Sequence, residues 1–158
     1  MPFARFLVSL TACALLGACS QLSPYSDLTK LDLTLNASDQ LNPDLNGRPS
    51  PLVLQLVELS HATAFEQADY FDLQQRPAAL LAPDLLAMEE MELRPGEQRT
   101  LKLALQPDTR HLGLVASYRD LAGARWRLTL DLAPRKRNAV RVQLDSNGLH
   151  PPVSNGAP

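Results

Sequence analysis

The chain reads as an all-β protein, a two-sheet β-sandwich with a small helical insertion, and three observations predict this. Apolar and polar residues alternate in segment after segment, the period of a strand with one wet face. Clusters of Pro, Gly, Asn and Asp, the residues that turn a chain, separate those segments. One stretch, about 64–83, is instead rich in Ala, Leu and Gln, and Pro77 and Pro83 divide it into short helical pieces. With 158 residues, 45% apolar and 20% charged, the chain suits a single domain with its own core.

The first element is an address. Arg5 precedes an apolar run from Phe6 to Leu16, too short to cross a ~30 Å hydrocarbon core comfortably and suited to a signal peptide. Leu16-Gly17-Ala18-Cys19 resembles the lipobox of bacterial lipoproteins. That resemblance implies cleavage after residue 18 and lipid on the Cys19 thiol, and Ser20 beside it implies transfer to the outer membrane. Cys13 leaves with the signal peptide, so Cys19 is the one cysteine of the mature chain and no intramolecular disulfide can form. Several acyl chains on one residue anchor more firmly than a single chain does. Residues 19–29 form a polar tether.

The sandwich is expected over 30–145. From Lys30, Leu31, Leu33 and Leu35 alternate with Asp32, Thr34 and Asn36. Ser38–Ser50 contains Asn-Pro, Asn-Gly and Arg-Pro and is expected as a long ordered loop. In Leu52–Leu59 both faces are largely apolar, which predicts an interior strand or one covered by a helix. Two brief helices are expected around Ala64–Leu73 and Pro77–Leu81, with Phe65, Tyr70 and Phe71 filling the join to the sheet. Strands follow at Met88–Leu93, Thr100–Leu105, His111–Arg119, Arg125–Leu132 and Asn138–Leu144, with a tight turn at Arg94-Pro95-Gly96-Glu97. Seven one-sided strands need one another's apolar faces, and two packed sheets satisfy them. Residues 146–158 are polar and proline-rich and are expected as a flexible tail.

Charge and motif then exclude function classes. A net charge of −2 argues against tracking a nucleic-acid backbone. His61, His111 and His150 are scattered, and no HExxH, GxSxG or cysteine pair is present. Neither metal nor cofactor is expected, nor a small-molecule substrate. Glu90 and Glu92 share a strand face, as on a solvated edge that discourages aggregation. Arg135-Lys136-Arg137 is a basic turn that could touch anionic lipid. Ser38–Ser50 is the strongest binding element, because ordered loops of this length are often functional. Asn42-Pro43-Asp44 suggests a rigid Asx-type turn, and Pro49 and Pro51 stiffen the exit. Such a loop loses less entropy on docking.

The succession LxLxxxASDQLNPDLNGRPSPLVLQLVEL, FEQADYFDL, Leu93-Arg94-Pro95-Gly96, LGLVASYRD and ARWR, following a lipobox, resembles the TssJ (SciN/VasD) lipoproteins of type VI secretion systems. The likeness spans about Leu31–Leu144. It implies a transthyretin-like sandwich on the inner leaflet of the outer membrane, without catalysis. The implied partner is the periplasmic C-terminal region of TssM and, indirectly, TssL. It implies that Cys19 carries the lipid and that Asn42, Pro43, Asp44, Asn46, Gly47, Arg48 and Pro49 contact the partner. Asp44 and Arg48 are then the charged candidates for pairing, and Gly47 and the prolines shape the loop. Arg125-Trp126-Arg127 matches the family's Trp-Arg, with Trp126 assigned to the core. Val57-Glu58-Leu59 departs from the Tyr-Gln-Leu-like triplet common at the second strand's end. Two other readings share the residues. One is a generic periplasmic protein-binding or inhibitor lipoprotein. The other is a small hydrolase of transthyretin-like fold, which would need His, Arg or Ser groups converging at a cleft.

Overall fold

Alternation in the sequence becomes two four-stranded sheets in the computed structural model, which describes residues 28–151. The signal peptide, Cys19, most of the tether and the last seven residues of the expected tail lie outside the described residues. The strands are β1 (Lys30–Ala37), β2 (Leu52–Leu59), β3 (Leu85–Leu93), β4 (Gln98–Ala104), β5 (His111–Ala116), β6 (Arg127–Asp131), β7 (Arg137–Asp145) and β8 (Gly148–His150). Between β2 and β3 lie three one-turn helices, α1 (Thr63–Gln67), α2 (Tyr70–Gln75) and α3 (Pro77–Leu81). One sheet has the order β4-β1-β7-β8, the other β3-β2-β5-β6. β1 and β7 run parallel, and every other pairing is antiparallel.

The core is the seam between the sheets. Leu31, Leu33 and Leu35 of β1 face Leu52, Leu54 and Leu56 of β2, with Leu112 and Leu114 of β5 and Val142 and Leu144 of β7 completing one cluster. Each fully buried leucine contributes roughly 1.5–3 kcal/mol. The other face of the β2 sheet is apolar because the helices cover it: Val57, Leu59 and Val115 pack with Phe65, Leu73 and Leu81. β2 is thus both interior to its sheet and covered by helix, and its two-sided apolar pattern has two causes. Gly113 makes the cover possible, since a Cβ there would stand 2.5 Å from the Phe65 ring.

Helices this short do not stand alone in water. Asp69 accepts a hydrogen bond from the Phe71 amide at 2.9 Å and starts α2, and Pro77 occupies the first turn of α3. The Arg127 guanidinium donates to the Phe65 and Ala68 carbonyls at 2.9 and 2.8 Å, fastening the end of α1 to β6. Trp126 lies against this strut, with Arg127 over its ring and Tyr70 edge-on. Among the described residues no helix is long and apolar enough to cross a membrane.

Several details differ from expectation. β4 starts at Gln98 rather than Thr100, paired to Asn36, and β5 ends at Ala116 rather than Arg119, where the Tyr118 amide turns back to the Ala116 carbonyl. Phe71, expected in the join between helix and sheet, is 61% exposed. The first helical stretch splits in two, because Ala68 and Asp69 adopt extended backbone and Asp69 caps a new helix. β3 begins at Leu85 rather than Met88, paired to Leu59 across a bulge. The sixth strand is only Arg127–Asp131, and Arg125 instead bridges Gly148. Past residue 145, where a loose tail was expected, β8 hairpins onto β7 and Leu149 is wholly buried in the main core.

Candidate functional site

β1 carries the chain from the tether to the opposite end of the sandwich, roughly 25 Å away at the rise of a strand. Four connections gather there: the β1–β2 loop, the β3–β4 turn, the β5–β6 connector and the β7–β8 turn. From Ser38 to Pro51 the first has neither helix nor strand, yet every part of it is held. Leu41 is wholly buried and plugs the base into the core. Asn42 is 4% exposed, in left-handed backbone at φ 46°. Its side chain donates to the Pro51 carbonyl and accepts from the Arg119 amide, both at 2.8 Å, so it joins the loop's two ends to the β5–β6 connector. Ser50 closes the same staple, donating to the Asn42 carbonyl and accepting from Arg119 Nε.

Beyond the staple the tip closes on Asp44. One carboxylate oxygen accepts from the Asn46 and Arg48 amides at 2.8 and 3.0 Å, and the other accepts from Arg48 Nε at 2.7 Å. The Asp44 amide donates to the Arg48 carbonyl, and the Gly47 amide to the Asp44 carbonyl. The Asx-type turn is therefore centred on Asp44, two residues past Asn42. The Arg48 amide bond, above all, holds the Asp44 carboxyl below its ordinary range, helped by the Arg48 guanidinium, the Asn46 amide and the charge of Arg119. Gly47 has φ +74°, the left-handed region that the turn requires and that a side chain would resist.

The seven residues named from sequence separate by role in this geometry. Asn42 is spent inside the fold. Asp44 and Arg48 are paired with each other, and Pro43 is half-buried. Asn46, Gly47, Arg48 and Pro49 are exposed at the tip. The residue that sequence reasoning passed over is Leu45, 106% exposed at the apex. Two leucines, Leu41 and Leu45, stand in this run of turn formers, and only the structure shows that the core takes the first and leaves the second at the apex. Beside it Pro43, Asp44, Leu45, Asn46, Arg119 and Asp120 line a shallow concavity, so the β5–β6 connector shares the surface. An apex leucine on a rigid, hydrogen-bonded stalk offers an apolar anchor with little freedom left to lose.

The histidines each meet an aspartate: His61 with Asp84 and His111 with Asp131 at 2.8 Å, and His150 with Asp145 at 3.0 Å. These pairs are separate from one another, and among the described residues no three His, Cys, Asp or Glu side chains converge on a metal position. Glu90 lies on the β3 edge and accepts from Gln55.

A family model described as type VI secretion lipoprotein (VasD, EvfM, TssJ) matches residues 29–147. No curated protein sequence matches the chain. Among solved structures, the type VI lipoprotein TssJ1 of Pseudomonas aeruginosa is 39% identical, with 83% of this chain and 99% of that one covered and a TM-score of 0.78. Serratia marcescens Lip, a membrane-bound component of the type VI secretion system, is 26% identical over 80% and 99%, with a TM-score of 0.73. A chain in the structure of the type VI protein TssM C-terminal domain from EAEC shares the fold at 23% identity, over 78% and 98%, with a TM-score of 0.63.

Proposed function

The chain belongs to the type VI secretion lipoprotein family, and from that premise we propose that it docks the periplasmic C-terminal region of TssM while held to the outer membrane by lipid on Cys19. Through TssM it reaches TssL, and so takes its place in the trans-envelope complex. It is a non-catalytic attachment protein: the lipid retains it, the sandwich is a rigid body, and the Ser38–Pro51 loop gives the specific contact. The choice of TssM rests on family membership. The choice of loop rests on one observation, the self-closed tip that presents Leu45 to solvent. Two sheets of four strands with helices added on one face support a transthyretin-like arrangement. Within the loop, Leu45 is the anchor, with Asn46, Gly47, Arg48 and Pro49 around it. Pro43, Asp44 and the buried Asn42 act by shaping it.

The experiment exchanges Ser38–Ser50 for a flexible segment of equal length and measures binding of the purified periplasmic TssM fragment beside thermal unfolding. The folded variant is expected to lose binding by at least about a hundredfold, since both the anchor and its rigid presentation go. Undiminished affinity in a folded variant would place the contact elsewhere.

A further inference from the structure

The basic turn Arg135-Lys136-Arg137 has no part in the partner-binding end, and the structure puts it at the other end, against the tether. The Arg135 amide donates to Thr29 Oγ1 at 2.9 Å, and the Lys30 amide donates to the Lys136 carbonyl at 3.0 Å. The turn between β6 and β7 is therefore tied to the last residues before the sandwich begins. Strand register extends the charge from there. Lys30 pairs with Arg137, and Asp32 with Lys102, all on the outer face of the β1 sheet because Leu31 and Leu33 take the inner one. Lys30, Lys102, Arg135, Lys136 and Arg137 are all exposed.

The acidic groups of this region leave an excess of positive charge. Asp32, on the same face, is bound to Arg137 at 2.7 Å. Asp108 lies on the β4–β5 turn with Glu58, which accepts from the Gln106 amide and Thr109 Oγ1, while Asp84, paired with His61, and Asp131, paired with His111, belong to the other sheet's side. Lys102 stands opposite Asp32 and adds to the charge that holds its carboxyl low, while Lys30, Arg135 and Lys136 make no salt bridge among the described residues, so five cations face one acid.

We infer that this basic face rests on the anionic phospholipid surface to which Cys19 anchors the chain, turning the Leu45 end toward the periplasm. The tether decides the occupant. Residues 20–29 reach at most ~35 Å when extended, so the face at the tether's root is the part of the sandwich kept nearest the membrane. Attraction to anionic headgroups fades within about 10 Å at ordinary salt, which makes such a patch effective only when something holds it close. The tether limits how far the face can drift from the membrane and returns it to that range, and the two sandwich ends are separated by the length of β1. The inference rests on the Cys19 anchor proposed above.

The test uses the full lipidated chain in vesicles. Because the Cys19 thiol carries lipid, a cysteine introduced as Ala133→Cys or Asn46→Cys takes a fluorophore alone. Ala133 is exposed in the basic turn and Asn46 is exposed at the opposite tip. In phosphatidylethanolamine vesicles containing phosphatidylglycerol, a headgroup-attached quencher is expected to dim the label at 133 about threefold more than that at 46. The preference should shrink in ~0.5 M salt, in vesicles of zwitterionic lipid, and in the Lys30→Gln, Lys102→Gln double variant. Equal quenching at both positions, or a preference indifferent to salt and lipid charge, overturns the orientation. Chain that fails to float with vesicles overturns the anchor, and the orientation with it.

Discussion

At position 44 a single carboxylate accepts from two amides and a guanidinium, and each bond removes freedom from the loop tip. Asp44→Ala should therefore speed amide exchange at Asn46 and Arg48 by roughly tenfold while the unfolding midpoint stays nearly constant, because the tip is solvated and local. The same variant should weaken TssM-fragment binding by about tenfold through lost preorganisation rather than a lost contact. The pH dependence has a definite sign. A carboxyl whose pKa is depressed in the folded loop stabilises it fully above the ordinary value of 3.8 and loses that contribution as pH falls through the lower, folded value. Exchange at residues 46 and 48 should accordingly stay slow from neutral pH down to about 4 and rise only in stronger acid, once intrinsic exchange is divided out; a rise centred near neutrality would contradict it. At this scale the sequence is only partly legible. Asp44 and Gly47 could be read from turn chemistry, whereas the burial of Asn42 depends on Arg119, 77 positions away, which no local pattern reveals.

Helix over sheet is the element-scale feature on which the rest is braced. Phe65 seats on Gly113, so the cover and the strand beneath it fit as a pair. Gly113→Ala should destabilise the fold by about 1–3 kcal/mol through overpacking, and Phe65→Ala by about 3–5 kcal/mol through the cavity it leaves. Urea unfolding checks both, and combining Gly113→Ala with Phe65→Leu should recover part of the loss because the clashing ring is gone. Additive losses in that pair would mean that the contact is not shared. The strands were legible because Leu31, Leu33 and Leu35, or Leu112 and Leu114, repeat at period two against one apolar seam. β8 was not. Its three residues are too few for a period, and it exists because Gly148 lies against the Arg125 backbone and Leu149 finds the core, both long-range facts. The division of the first expected helix into α1 and α2 was hidden for a local reason: Asp69 ends one helical run by capping the next.

Taken whole, the described residues form a sandwich with two different ends, Thr29 and the basic turn at one and the Leu45 loop at the other. That division makes anchoring and docking separable. Cys19→Ser should leave the sandwich folded and able to bind the TssM fragment, yet release it from the membrane fraction; continued outer-membrane fractionation would refute the anchor. The lipobox and loop were legible in the sequence, and the family resemblance drew on both, but the separation of the loop from the start of the sandwich at Lys30 became visible only once β1 was placed. Leu45 escaped notice because its meaning lies in total exposure on a closed stalk, which composition does not encode. The most direct measurement is the Kd of the periplasmic TssM fragment for the wild-type chain and for Leu45→Asp, by calorimetry, with thermal unfolding of both proteins alongside. An unchanged unfolding midpoint with affinity weakened by at least about tenfold is the predicted result. Equal Kd values for two equally stable proteins would contradict docking through the loop tip.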